Sequence, residues 1–473
     1  MNRIVILHTN DIHGRVEGLA RIATLVAQYR AENASTPVLY FDLGDSEEYA
    51  SRLSGLTKGA AMHRLLHAAG CDATVVGNAI LARHGPGAVS DETVAAPYPH
   101  LLANVRFADG RPIPGTEPTA LITAGELALG LIGVTADFFT YERFFGLQTL
   151  EPVPIIRELA AQLRGQGADA IILLSHLGID ADREVAAALD DELALILGGH
   201  THTLLPEGEW VEDLLIAQAG EYGQHLGKAV LEWDGKRLRP VEASVQSVSD
   251  DISLSAGVQA TITQIEKELE AFMGEIICEL PQALDLALDR ECALGNLLAD
   301  ALRDRTGADV ALAVPGPTFI EGLPAGPLRR ETLWAASPGT GNPGVTELTG
   351  AQLLALLKRG RDPEFAAEKH QALRGHGRGL MHLSGAVFRN NQLLINRQAP
   401  DPERRFRVAA SDFELEPTWG YADEAWGLTP DYEVEVIMRE VLEDYLRSGD
   451  VFPIEMGRAE EPVAADSDRL SEE

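Results

Sequence analysis

Ile4-Val5-Ile6-Leu7-His8-Thr9-Asn10-Asp11-Ile12-His13-Gly14 decides how this chain is read. A β-rich apolar run stops abruptly and delivers two polar side chains, Asp11 and His13, two residues apart. In an extended segment that spacing puts both on one side, where they can hold one cation together. Far downstream, Ala194-Leu195-Ile196-Leu197 runs into Gly198-Gly199-His200-Thr201-His202, and His200 and His202 repeat the spacing and can divide between two ions. Between the two blocks, three more polar residues follow apolar runs: Asp45 after Leu43-Gly44, Asn78 after Gly77, and His176 after Ser175. Carboxylate, amide oxygen and imidazole suit divalent cations used in phosphoryl chemistry, and a two-metal site needs a carboxylate that touches both ions. Asp45 is the natural bridge, with Asn78 and His176 completing the second site.

Outward from these blocks, residues 3 to about 245 alternate short apolar runs with helix-like segments. The runs Ile4 to Leu7, Val38 to Phe41, Ala73 to Val76, Leu129 to Val134, Ala170 to Leu174 and Leu193 to Leu197 are mostly apolar on both faces. That pattern predicts a sheet buried between helices, with chemistry gathered beyond the carboxyl ends of its strands. Ile262, Ile265, Leu269 and Phe272 are spaced as one helix face. They predict a helix within 250–273 that either connects two domains or lies on the edge of the first. A second unit is expected over 274–456, with helices at Leu294 to Arg305 and Gln352 to Lys358 and strands near Val310, Met381 and Arg407. The acidic stretch 457–473 has no aromatics and reads as a disordered tail.

With five ligand-bearing blocks in this order, residues 4 to 202 resemble the calcineurin-like metallophosphoesterases, and within them the branch that contains the 5′-nucleotidases. The second unit is similar to that branch in Arg290-Glu291-Cys292-Ala293-Leu294-Gly295-Asn296, Glu347-Leu348-Thr349-Gly350, Leu383-Ser384-Gly385 and Arg407-Val408-Ala409. The resemblance implies a two-domain α/β protein: a four-layer αββα metallophosphoesterase sandwich over 1–249 and a smaller α/β 5′-nucleotidase-type domain over 274–456. It implies two divalent cations, whether Mn, Zn, Fe or Co, with Asp11, His13 and His202 on one, Asn78, His176 and His200 on the other, and Asp45 between them. Asp45, Asn78 and His200 are then the residues nearest the reaction. Arg290 and Tyr421 are the substrate contacts that the resemblance suggests. The implied activity is hydrolysis of phosphoester or pyrophosphate bonds in small nucleotide-like molecules by a metal-bridging hydroxide. The alternatives are a phosphoester hydrolase without nucleoside preference and a weakly active metal- and nucleotide-binding protein.

The sequence departs from the family pattern at points that matter. The family follows Gly-Asn with His-Glu and then an Asp, whereas Gly77-Asn78 here is followed by Ala79, and Ala82 stands at the Asp position. Arg83 and His84 are possible substitutes. The family's glycine-rich Asn-Gly-Gly-Gly-Ile-Arg segment corresponds to Val314-Pro315-Gly316-Pro317-Thr318-Phe319, without the Asn or the Arg. Ser337-Pro338-Gly339-Thr340-Gly341-Asn342 lacks an aromatic, Trp419-Gly420-Tyr421 is a degenerate counterpart of the other base clamp, and Arg374 and Arg378 are further candidates for the phosphate side.

The bulk numbers narrow the partners. At 473 residues the chain exceeds one ordinary core of roughly 150 residues. A net charge of −33 argues against nucleic acid polymers and anionic membranes, which recognise clustered Lys and Arg. No apolar run approaches the roughly 18 residues of a membrane helix. A small phosphorylated substrate, no specific protein partner and a cytoplasmic location are therefore expected. Cys71, Cys278 and Cys292 show neither metal spacing nor a disulfide framework, which agrees with a reducing compartment.

Overall fold

Along Arg3–Thr9 (β1), Ile4 and Ile6 point to one side and Val5 and Leu7 to the other, and all four are buried. A strand that is apolar on both faces needs cover on both, and this requirement organises the first half of the chain. The structure is a computed structural model that describes residues 3–48, 51–368, 377–449 and 451–460. It divides into two units, Met1–Leu269 and Glu270–Glu473.

The further strands of the first unit are Val38–Asp42 (β2), Ala73–Val75 (β3), His100–Leu101 (β4), Val105–Phe107 (β5), Thr119–Ala124 (β6), Leu127–Thr135 (β7), Leu147–Thr149 (β8), Ala170–His176 (β9), Leu195–Leu197 (β10), Glu209–Val211 (β11), Leu214–Ala217 (β12), His225–Trp233 (β13) and Leu238–Ser247 (β14). Counting β1, twelve strands form two six-stranded sheets, ordered β14-β13-β1-β2-β3-β4 and β11-β12-β10-β9-β7-β6, and β5 pairs with β8 in a separate two-stranded ribbon. The centre of each sheet is parallel: β1 to β4 in one, and β7, β9, β10 and β12 in the other. Antiparallel strands close the edges at β13, β14, β6 and β11. The edge strands were not legible as apolar runs, because Lys228, Glu232 and Glu242 interrupt the hydrophobic pattern of the β13–β14 hairpin.

Side-chain alternation then produces four layers. Ile4, Ile6, Phe41 and Val75 from the first sheet meet Leu129, Leu131, Ile172, Leu174 and Leu197 from the second. Val5, Leu7 and Tyr40 face outward against the helices Val16–Glu32, Ala60–Ala68 and Ala256–Met273. Ile132, Val134, Leu173 and Ile196 face outward against Pro152–Gly165 and Ile179–Leu189. The arrangement is the expected αββα sandwich. The helix Ala256–Met273 buries Val258, Ile265 and Leu269 in the first unit's outer core, whereas Phe272 is 41% exposed.

The second unit is a smaller α/β body. Its strands are Ile276–Leu280 (β15), Val310–Ala313 (β16), Gly326–Arg329 (β17), Pro343–Thr349 (β18), His382–Ser384 (β19), Val387–Arg389 (β20), Gln392–Leu394 (β21), Arg405–Ser411 (β22) and Asp431–Tyr432 (β23). Five of them form the sheet β19-β16-β22-β18-β23, with helices Ala293–Thr306 and Gly350–Gly360 near the expected positions. Thr349 and Gln352 make a capping box that starts the second helix. Of the stretch 457–473, Arg458 is buried and pairs with Asp300 at 2.6 Å, and residues 461–473 lie outside the described residues.

The sheets approach closely where β7 passes β4. A Cβ on Gly133 would stand 2.3 Å from Leu101 Cβ and 2.8 Å from its carbonyl carbon, a backbone atom that cannot swing aside. Gly133→Ala is expected to lower unfolding free energy by about 1–3 kcal/mol, the usual cost of overpacking a core. Urea denaturation followed by circular dichroism checks it, and an unchanged midpoint would contradict this packing.

Candidate metal centre

Each parallel strand releases its chain at the same edge, and the polar residues follow within a few positions. The loops are pinned to one another by continuation of the ladder: Asp11 N donates to Gly44 O at 3.0 Å, His13 N to Asp45 O at 3.1 Å and Gly14 N to Ser46 O at 2.8 Å. Tyr222 N donates to Asp11 O at 2.8 Å from the loop beyond β12. Asp11, His13, Asp45, His200 and His202 all have positive φ, between 46° and 74°. Such conformations cost about 1–3 kcal/mol each for non-glycine residues and persist only where the surroundings impose them. Asn78 and His176 avoid this strain, one starting the helix Asn78–Ala95 and the other ending β9.

These turns bring all seven sequence-identified residues into two groups. Asp11, His13 and His202 form the first, with His202 Nε2 at 3.2 Å and His13 Nε2 at 3.7 Å from Asp11 Oδ1. Asp45, His176 and His200 form the second, with His176 Nε2 at 3.3 Å from Asp45 Oδ2 and 3.1 Å from Asn78 Oδ1. Three glycines make the room. A Cβ on Gly77 would stand 2.0 Å from Asp45 Oδ1, and one on Gly199 2.9 Å from His176 Nδ1. One on Gly44 would press on Gly77 at 2.9 Å.

The hydrogen-bond pattern fixes which imidazole nitrogens face the groups. His176 Nδ1 donates to Leu43 O at 2.6 Å, which leaves Nε2 with its lone pair toward Asp45 and Asn78. His202 Nδ1 lies 2.5 Å from Glu221 Oε2, so its Nε2 faces Asp11 and, at 3.2 Å, His13 Nε2. Asp11 Oδ2 accepts from Asn10 Nδ2 at 2.7 Å and His200 N at 2.9 Å, but its fully buried Oδ1 has no aligned hydrogen-bond donor. Asp45 Oδ1 accepts from Ala79 N at 2.9 Å, which turns Oδ2 toward His176. A buried carboxylate oxygen without a donor, opposite imidazole lone pairs, fits a cation.

The electrostatics agree. Burial opposes charge on both members of the Asp45–His176 pair, yet their mutual attraction overrides it, placing Asp45 at about 2 and His176 at about 9. Burial, then the neighbouring His176, lowers His200, which stays a neutral donor. A proton on His176 stands where a cation would. Because that imidazole is protonated below about pH 9, cation binding near pH 7 has to expel the proton, and affinity should rise with pH until about 9. Mn²⁺ titration calorimetry at pH 7 and 8 in buffers of different ionisation enthalpy reads both proton release and affinity. Equal affinity at the two values would contradict this assignment.

Several contributors had no sequence signal strong enough to find them. Asn10 braces the centre by donating to Asp11 and to Gly220 O at 2.5 Å and accepting from Ala219 N at 2.9 Å. Glu221 orients His202, and Tyr222 lies edge-on to both His13 and His202 at 5.8 and 6.2 Å. For Glu221 and Tyr222 the one clue was position, just beyond the apolar stretch Leu214–Ala217, now seen as a parallel strand at the same edge. Removing a carboxylate that orients a ligating imidazole typically weakens metal binding about 10–100-fold. Glu221→Ala is expected to do so with little change in melting temperature without metal, and unchanged Mn²⁺ affinity would remove Glu221 from the centre.

The other residues singled out from sequence sit elsewhere. His84 lies later in the Asn78 helix, and burial, followed by Lys58 and Arg83, lowers it to about 4, so it is neutral at pH 7. In the second unit, Arg290 pairs with Asp285 at 2.8 Å on a half-exposed surface. Tyr421 is 4% exposed, with its ring 4.8 Å from that of Phe365 inside the core. Arg378 lies over Phe365 and donates to Trp419 O at 2.9 Å. Arg374 lies outside the described residues.

Comparison with known proteins agrees with the fold. Residues 276–422 match the model of the 5′-nucleotidase C-terminal domain. The metallophosphoesterase YunD of Bacillus subtilis is 29% identical over 431 residues, spanning 87% of this chain and 92% of that protein. A 5′-nucleotidase of Bos taurus is 25% identical over 345 residues, covering 63% of this chain but only 59% of its own length. Among solved structures, a 5′-nucleotidase precursor from Thermus thermophilus superposes with a TM-score of 0.53 at 22% identity, over 97% of this chain and 99% of that one, a likeness of fold. The fold is that of the metallophosphoesterases joined to a second α/β domain. The chain is similar to their 5′-nucleotidase-like branch, a class of hydrolases, and residues 276–422 of its second unit match the 5′-nucleotidase C-terminal domain.

Proposed function

We propose that the first unit is a dinuclear metallohydrolase that cleaves phosphoester or pyrophosphate bonds in small nucleotide-like molecules. The observation that carries this reading is the pair of ligand groups, each with a carboxylate and Nε2 lone pairs turned inward by hydrogen bonds at the opposite nitrogen. Asp11, His13 and His202 would hold one cation and Asn78, His176 and His200 the other, with Asp45 shared. When bound, two such cations supply a water of lowered pKa and neutralise charge on phosphoryl oxygens. Two carboxylates opposite two divalent cations leave the loaded centre net positive. That local charge admits an anionic phosphate to a chain whose own charge of −33 would repel it, and repel nucleic acid polymers more strongly.

The chain's own residues position and do not protonate. Asp45 is oriented by the backbone N–H of Ala79, and the Ala79 side chain is a methyl that can neither donate a proton nor stabilise a departing oxygen. A positioned acid is worth about 10²–10⁴ in rate. Rates on this protein should therefore fall steeply as the leaving group becomes more basic. With Mn²⁺ present, 4-nitrophenyl esters should be cleaved well ahead of alkyl phosphates, and His176→Ala should abolish both. Equal rates on the two ester types would show that another group supplies the proton.

A second reading, a phosphodiesterase without nucleoside preference, draws on the missing aromatic in Ser337-Pro338-Gly339-Thr340-Gly341-Asn342. The relative named 5′-nucleotidase favours the nucleotide reading. Comparison of AMP with bis(4-nitrophenyl) phosphate separates the two. Preference for AMP supports a nucleotide substrate, and preference for the diester with no AMP turnover would replace it with the second reading.

A further inference from the structure

Glu47, His63 and Glu92 meet in the interior of the first unit, 8%, 3% and 1% exposed. They come from three elements: the loop after β2, the helix Ala60–Ala68 and the helix Asn78–Ala95. We propose that these three side chains form a third divalent-cation site, distinct from the two groups at the strand ends. The site stands or falls independently of the phosphoester reading.

Hydrogen bonding fixes the direction of the His63 lone pair. His100 Nδ1 lies 3.1 Å from Tyr98 O, a pure acceptor, so Nδ1 carries the hydrogen and Nε2 accepts. That Nε2 is 3.1 Å from His63 Nδ1, which must therefore carry its own hydrogen. Tyr98 Oη, 2.9 Å from the same nitrogen, can donate onward to His63 O at 3.4 Å. Nδ1 being so committed, His63 Nε2 faces Glu47 Oε1 at 2.7 Å and Glu92 Oε2 at 3.4 Å.

A bare lone pair aimed at two buried carboxylates is repulsive, so something positive must sit there. A single proton serves one or two of the oxygens. It leaves Glu47 Oε2 and Glu92 Oε1, both fully buried, without a hydrogen-bond donor unless Glu92, whose carboxyl burial and then Glu47 raise to about 8, takes up a second proton. A divalent cation bonded at about 2.1 Å to each ligand places neighbouring ligand atoms about 3.0 to 3.4 Å apart, close to the separations seen, and can engage both oxygens of a carboxylate. The space is kept clear by Gly59: a Cβ there would stand 2.2 Å from the unpartnered Glu92 Oε1 and 2.6 Å from Glu47 Cγ. One imidazole with two carboxylates suits Zn²⁺, Mn²⁺ or Fe²⁺. Such an ion would tie the loop carrying Asp45, two residues before Glu47, to the helical segment that follows the kink at Gly85, downstream of Asn78.

Metal content decides the matter. The purified full chain, loaded with Mn²⁺ and desalted, should carry one ion for each of the three ligand groups. Glu92→Gln, which keeps the side chain's shape, should carry one fewer while retaining hydrolysis of the best substrate found. Two ions in both proteins, or three in both, would overturn the proposal. If Glu92→Gln fails to fold, wild-type crystals grown with Mn²⁺ give the answer by anomalous scattering. A peak between Glu47, His63 and Glu92 is expected, and its absence with peaks at the strand ends would leave only a proton there.

Discussion

Lone pairs converging inside an apolar sandwich are the constraint on which the rest of this structure depends. Asp11 and Asp45, with four imidazoles and an amide oxygen, are brought to the same edge of two sheets and held there by backbone hydrogen bonds between loops. Without positive charge among them the arrangement is self-repelling, which is why His176 binds a proton so tightly. Five left-handed residues store strain at the same edge. The parallel ladders from β1 to β3 and from β7 to β12, packed face to face through Ile4, Ile6, Ile172 and Leu174, make those loops rigid enough to keep the strain.

Much of this was legible because parallel, doubly buried strands write themselves as unbroken apolar runs. Ile4 to Leu7 and Ala170 to Leu174 announced strands, and the polar residue after each announced an edge where side chains meet. The antiparallel hairpin His225–Ser247 was not announced, because half of its side chains face water and its pattern carries Lys228 and Glu242. Asn10 and Glu221 escaped for another reason. Asn10 works by reaching Ala219 and Gly220, far along the chain, and Glu221 by reaching back to His202, and no local spacing encodes such contacts. The cluster of Glu47, His63 and Glu92 was equally silent, since its members lie on three elements with no shared period.

The departures from the family pattern have physical consequences that the fold does not repair. Ala79 keeps the backbone donor that orients Asp45 but has no side chain able to move a proton. His84 is close in sequence, yet burial and two cationic neighbours leave it neutral. In the second unit, Tyr421 is packed against Phe365 with its ring already engaged, and Arg290 is already paired with Asp285. The proposed centre is therefore a metal-holding scaffold whose substrate preference would be set by charge and leaving group, rather than a complete copy of a nucleotidase site.

Everything proposed for this centre turns on two cations sitting together with Asp45 between them. Electron paramagnetic resonance of the Mn²⁺-loaded protein tests it most directly, because two Mn²⁺ ions sharing a carboxylate at about 3.5–4 Å are magnetically coupled and isolated ions are not. A coupled signal that disappears in Asp45→Ala is expected. Only isolated Mn²⁺ signals in the loaded wild-type protein would contradict it.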